Sequence, residues 1–466
     1  MTDRTTPRVH LAAHFPGVNN TTIWSDPRHG SQIEFAAFEH FARTAERGVF
    51  DYLFLAEGLR LREHRGRIHD LDVAGRPATL AVLAALAGVT EHIGLVSTLS
   101  ATFNEPYELA RQLATLDHLS DGRAGWNVVT SPDAFHGANF RRGGFLDPAD
   151  RYVRAGEFID AARVVWGSWA ADQPVADRTT GEFAAAGSGE FAFSGTQFDI
   201  HGRSSVPRSP QAFPVVVQAG DSADGRDLAA SRAEVIFSRH GERDEGIAFS
   251  EDLTARLAAR SRSRDSLRIL PAVTFALGDT AEEADEQARL DALGQVSPQT
   301  AISFLEQVWG RDLSAYDPDG PLPDIEPDVE NVNVTRGRVR HVKDPAPVVA
   351  AWRERAANEN LSIRELVIAV SARPRFVGTP QTVAERMIEH VAAGASDGFT
   401  LVGTRSPDGL DEFTDRVVPI LQERGAYPEA YPERATLREL LGLPHPDVPD
   451  PAPGRPTPER IEEPTR

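Results

Sequence analysis

The sequence predicts an α/β fold, a parallel eight-stranded barrel ringed by helices, and three observations carry that prediction. Short β-rich runs alternate with longer segments of helical period over the first 280 residues, the pattern of repeated βα units. The runs are apolar or β-branched on both faces, as strands covered on both sides must be. Eight of them can be counted in the 466 residues, which suits a closed (β/α)8 or TIM barrel better than a six-stranded doubly wound sheet. No GxGxxG follows the first run, in agreement.

The strands are expected at 9–15, 52–56, 93–99, 125–130, 215–219, 235–238 and 269–277, with an eighth, 398–403, much later. Helices are expected between them at 34–48, 78–89, 107–118, 151–169, 224–233 and 247–260, most ending in glycine, basic residues or polar caps. Roughly 120 residues separate the last two strands, far more than one helix and its turns require. An insertion at about 280–375 is therefore expected, starting with a helix at 281–293, passing DLSAYDPDGPLPDIEPD and returning through a helix at 347–358. At the C-terminal rim of a barrel such an excursion is a natural lid. The stretch 132–151 reads as a long loop after the fourth strand, and 172–210 as a glycine-rich hairpin. Residues 1–443 make one barrel domain on this reading, and the Pro-rich tail 444–466 is expected to be disordered.

Composition narrows the function. Hydrophobic residues at 41% and charged residues at 25% support a large core and exclude disorder of the whole chain. A net charge of −20 disfavours nucleic acid and anionic membranes as partners. The absence of cysteine removes disulfides, thiolate metal sites and thiol catalysis together. No apolar run approaches a membrane span and the start lacks a signal-peptide core, so a cytoplasmic location is expected.

The residues that can carry chemistry collect at predicted strand ends. In QAGDSADGRDLAA, at 218–230, a strand gives way to a helix whose start can cradle a phosphate; Gly220 and Gly225 permit the turn, Ser222 supplies a hydroxyl and Arg226 a charge. A capped loop with a surface arginine explains the same string. GRAGWNVVTS, at 122–131, ends a strand with Asn127, Thr130 and Ser131 where a barrel places its active site. YLFLAEGL puts Glu57 at the same rim, and STLSATFNEP offers Ser97, Thr98 and Asn104, the last equally a helix cap. His14 at the end of the first strand and His136 in the loop after the fourth are the candidate catalytic histidines, each equally an ordinary histidine of its segment. No HxH, HExxH or Walker spacing occurs, so no metal is expected; a polar rim without a nucleophile suggests that a cofactor carries the chemistry.

The strings AERGVFDYLFLAEG, YELARQLATLDHLSDGRAGWNVVTS, DRYVRAGEFIDAARVVWGSW, QAGDSADGRDLAA, GTPQTVAERMIEHVAAGASDGFTLV, EFTDRVVPILQERG and TLRELLGL, in order from about 8 to 443, resemble the nitrilotriacetate monooxygenase family of the bacterial luciferase-like superfamily, with its alkanesulfonate and dibenzothiophene-sulfone relatives. The resemblance implies FMN, taken as FMNH2 from a separate NAD(P)H-dependent flavin reductase, and oxidation of a small organic substrate with O2 through a C4a-hydroperoxyflavin. It implies flavin contacts at Glu57, Ser131, Tyr152 and Ser222, with Asn127 and Thr98 as looser candidates, and a homodimer or homotetramer. Two departures stand out: Glu57 replaces a frequent aspartate, and Pro148 replaces a frequent histidine. A pocket dried by Phe15, Trp24 and Phe103 and closed by the insertion over 309–333 would keep water from the flavin. A deazaflavin-dependent oxidoreductase and a non-catalytic flavin-binding barrel are the alternatives.

Overall fold

Eight parallel strands close on themselves: β1 (His10–Phe15), β2 (Tyr52–Leu55), β3 (Gly94–Ser100), β4 (Ala124–Val129), β5 (Val215–Gln218), β6 (Val235–Ser238), β7 (Arg268–Leu277) and β8 (Gly398–Val402). Their order is β6-β5-β4-β3-β2-β1-β8-β7, and pairing of β6 with β7 completes the ring. The computed structural model describes residues 6–15, 17, 22–68, 76–131, 134–140, 148–330, 335–336, 344–371 and 375–448. The (β/α)8 expectation holds, with strand ends displaced by a residue or two.

Period-2 alternation divides each strand between two cores. Ala12, Tyr52, Phe54, Val96, Val215, Val217, Val235 and Leu270 meet inside the barrel. Leu11, Leu53 and Leu95 point outward, into the layer shared with α1 (Phe35–Arg47) and α2 (Thr79–Ala87). Trp126, Val216 and Ile236 do the same beneath α3 (Pro106–Leu119), α4 (Pro148–Trp166), α5 (Ala223–Arg232) and α6 (Arg243–Ala258). Two helices start three or four residues earlier than the sequence suggested. α4 begins at Pro148, whose fixed φ suits a first turn, and α6 begins at Arg243 with Asp244 and Glu245 in its first turn, favourable to the helix dipole.

The expected insertion is present as four helices: α7 (Ala281–Gln295), α8 (Pro298–Trp309), α9 (Ala346–Glu359) and α10 (Ile363–Ser371). Thr280 and Glu283 form a capping box that starts α7. A strand not foreseen, Arg375–Gly378, follows the insertion and lengthens the sheet beside the C-terminal half of β7, and α11 (Pro380–Ala392) leads back to β8. Also unforeseen is a small antiparallel sheet in which Thr335–Arg336 from the insertion pairs with the hairpin Glu63–His64 and Arg67–Ile68 of the loop after β2. The expected hairpin is Glu190–Ser194 with Asp199–Arg203.

After β8 come α12 (Asp411–Arg416), α13 (Val418–Glu423) and α14 (Leu437–Leu440). The last one plugs the N-terminal end of the barrel: Leu437 and Leu441 join the interior cluster, and a Cβ on Gly94 would meet Leu437 at 2.5 Å. Arg268 and Arg8 hold the plug through the carbonyls of Leu441 and Leu440. Most of the predicted disordered tail, 449–466, lies outside the described residues. No helix among those described is long and apolar enough to cross a membrane.

Candidate active site at the barrel mouth

With one end sealed, the open end is the rim formed by the C-terminal ends of the strands. His14, inward on β1 and 9% exposed, lies with its ring centre 5.0 Å from that of Phe54 and 6.4 Å from that of Phe237. Phe54 and Phe237 are themselves 5.5 Å apart, so three rings from β1, β2 and β6 floor one side of the mouth. Phe15, one residue on, must point outward, and it packs on Phe38 and Phe41 at 4.5 and 5.3 Å. Trp24 is 51% exposed. The pocket rings are therefore Phe54 and Phe237 rather than Phe15 and Trp24, while Phe103 stacks on Phe140 of the loop after β4, 4.6 Å between centres.

Across the mouth, Thr98 and Asn127 are register partners on β3 and β4, and the Asn127 amide donates to Thr98 Oγ1 at 3.1 Å. Asn127 Oδ1 is buried with no hydrogen-bond partner among the described residues. Ser131 and Ser100 share a hydrogen bond of 2.9 Å just beyond the strand ends. Glu57 stands beside them. The Ser100 backbone N–H donates to its carboxylate, its Oε2 is buried without a partner among the described residues, and burial pushes its pKa up to about 7. Asn104 is neither helix cap nor free ligand: Glu105 occupies the cap position, and the Asn104 amide donates to the Ser100 carbonyl at 2.7 Å.

The third group gathers at the start of α5. Ser222 is its N-cap, accepting from Gly225 N at 3.1 Å, and the Tyr152 hydroxyl from α4 lies 2.9 Å from Ser222 Oγ. The turn needs its glycines, because a Cβ on Gly225 would come within 3.0 Å of the Gly220 backbone. Arg226 does not serve this turn. Its guanidinium pairs with Asp252 on α6 at 3.0 Å and lies over Phe249. Arg151 takes its place, over the Tyr152 ring with Nη2 3.4 Å from the Tyr152 hydroxyl. The sequence reading passed over Arg151 although it is half of the RY pair, since helical spacing alone does not say which arginine leans toward the turn.

His136 sits on a single helical turn, Ala134–Gly137, and is half-buried. Three residues on, the Asn139 amide donates to the Leu59 carbonyl at 3.0 Å, tying the loop after β4 to the loop that Glu57 begins. Among the described residues the grouping with metal-ligand spacing is His40, Asp408 and Asp411, largely exposed, and Asp411 is already engaged by Thr44 and Arg47.

A closed parallel barrel with its polar and aromatic groups on the C-terminal rim is the architecture of an enzyme. The profile of the luciferase-like monooxygenase family matches residues 18–397. The chain is 39% identical over 88% of its length, and 90% of the relative's, to N-acetyl-S-(2-succino)cysteine monooxygenase of Bacillus subtilis (strain 168). It is 37% identical over 91% of its length, and 92% of the relative's, to nitrilotriacetate monooxygenase component A of Aminobacter aminovorans. Among solved structures it is similar to the EDTA monooxygenase of Chelativorans sp. BNC1, with a TM-score of 0.72, 30% identity, and 94% of this chain and 99% of that one covered. The chain belongs to the luciferase-like monooxygenase family. It is an oxidoreductase that incorporates oxygen.

Proposed function

We propose that the protein is the oxygenase component of a two-component system, holding FMN in its reduced form at the barrel mouth and using O2 to oxidise a small organic molecule. The observation that carries this reading is a pair of orphaned buried acceptors, Glu57 Oε2 and Asn127 Oδ1, on a mouth that also holds a helix start with two joined hydroxyls and an arginine. Buried polar atoms ordinarily find partners, and the donors of a flavin ring edge are of the right kind for these two. A phosphate suits the α5 N-terminus with Ser222, Tyr152 and Arg151, where dipole and charge act together.

Reduced flavin, when bound, supplies the electrons that activate O2. The chain's own contribution is placement and shielding. Glu57, half protonated near pH 7, can donate or accept at a flavin edge. Thr98 orients Asn127, and Ser100 orients Ser131. To His14, packed against Phe54 and Phe237, and His136, on the loop after β4, this reading assigns proton transfer with the substrate. The rings favour a substrate with an apolar part; the relatives named above act on a thioether and on aminopolycarboxylates. The relative named component A suggests a separate reductase as partner.

Anaerobic titration with FMNH2, then a screen of thioethers, sulfones, amines and alkanes with a flavin reductase and O2, tests this reading. Saturable binding and an oxygenated product are expected. Failure of reduced FMN to bind, or preference for a deazaflavin, would overturn it.

A further inference from the structure

The insertion has an apolar core of its own. Leu305, Trp309, Leu313, Val349, Ile363 and Val367 pack in a cluster separate from those of the barrel. Its apolar contact with the loop after β1 is where Ile23 packs at Gly294 of α7. One end is fixed where Arg405, in the loop after β8, pairs with Asp291 of α7 at 3.1 Å. The attachment on the far side, to the loop after β2, is polar and converges on one residue. Glu306 of α8 is a carboxylate only 3% exposed. It receives His64 Nε2 at 2.5 Å, Arg65 Nη1 at 2.9 Å and the Leu313 N–H at 2.8 Å. Arg65 reaches on to Asp312 at 2.5 Å, and Thr335–Arg336 adds its pairing with Glu63–His64.

The loop is built to present those donors. Its hairpin turns through Arg65 and Gly66 with φ of 51° and 75°, both left-handed as a type I′ turn requires. That rigid turn holds His64 and Arg65 on the side facing α8. The same loop begins at Glu57 and is tied to the loop after β4 through Leu59. Its fixation thus bears directly on the rim.

We propose that Glu306 is a positioning residue that fastens the insertion over the barrel mouth through the loop after β2, so that loss of this one carboxylate exposes the flavin site to solvent. The proposal rests on the flavin reading for its consequence, though not for the fastening itself. Removing the acceptor takes from His64 and Arg65 the buried carboxylate they share and leaves Arg65 with the exposed Asp312, which favours separation of the two elements. Because both faces are polar, water can take over their hydrogen bonds once they part, so opening does not require the insertion's apolar core to be disrupted.

The test uses the full chain as Glu306→Ala, Glu306→Gln and Arg65→Met variants, with three readouts: anaerobic affinity for FMNH2, the rate at which bound reduced flavin is reoxidised in air-saturated buffer, and thermolysin cleavage between 310 and 330. For Glu306→Ala, affinity within about threefold of wild type, with reoxidation and cleavage each about tenfold faster, is expected. Glu306→Gln, which keeps one acceptor, and Arg65→Met should fall between. Reoxidation and cleavage both unchanged in Glu306→Ala would overturn the proposal. Should that variant fail to fold, Arg65→Met decides instead, its side chain being 38% exposed. If wild type binds no reduced flavin, the flavin reading fails while the cleavage comparison still judges the fastening.

Discussion

Glu57 shows how one side chain records the purpose of its site. A carboxylate buried with one oxygen unanswered is costly, and burial lifts its pKa from 4.5 to about 7. The folded protein therefore keeps a proton that the unfolded chain has released between those values. The penalty is nearly absent at pH 4, grows as the pH climbs from about 4.5 to 7, and is full at pH 8. Glu57→Gln should match wild type in urea unfolding at pH 4 and exceed it by about 2 kcal/mol at pH 8, allowing for partial exposure. A stability difference that does not change between the two pH values would show that the carboxyl is not strained. At the other side of the mouth, Ser222→Ala and Arg151→Met should each weaken FMNH2 binding about 10- to 100-fold, as lost charge-assisted hydrogen bonds do. Arg226→Met, which loses the pair with Asp252 and the contact over Phe249, should stay within about threefold in the same titration.

At the scale of elements, much was legible because strand periodicity and helix-start chemistry are local. QAGDS followed by DG gave the end of β5 and the start of α5 to within a residue, and the structure adds that Ser222 is the cap. Period 2 along β1 also held the correction to Phe15, since a residue next to an inward His14 must face out. Arg226 could not be placed that way. Its direction is decided by Asp252, 26 residues further on in the next helix, and no spacing rule spans that gap. The pairing of Thr335–Arg336 with the β2 loop was hidden for the same reason. The α5 turn itself makes a sharp forecast. Gly225→Ala places a methyl against the Gly220 backbone, so the turn must open; FMNH2 affinity should fall at least tenfold in the titration while barrel stability drops by only about 1 kcal/mol. Full retention of affinity would mean that this turn does not touch the ligand.

For the molecule as a whole, the strings that carried the resemblance did so partly for reasons of architecture. TLRELLGL has no place at the mouth; it supplies Leu437 and Leu441 to the barrel floor and the buried Arg438, which binds Glu234 and the Phe213 carbonyl. Leu437→Ala should cost about 3 kcal/mol by calorimetry or urea titration, as large-to-small changes in closed cores do, with the active-site rim left intact. A cost below about 1 kcal/mol would mean that the floor is packed from elsewhere.

The stopper at the base also imposes a schedule on biosynthesis. β8 lies between β1 and β7, and Leu437 seals the floor only after that strand is seated. Until β8, at Gly398–Val402, has been made, the edges of β1 and β7 that it joins have no neighbour and stand available to other nascent chains. Trimming some thirty-odd residues from the C-terminus keeps β8 but removes Leu437 and Leu441 and leaves the floor unsealed, which should send the product into inclusion bodies, whereas removing only the residues after 448 should leave its yield of dispersed protein unchanged.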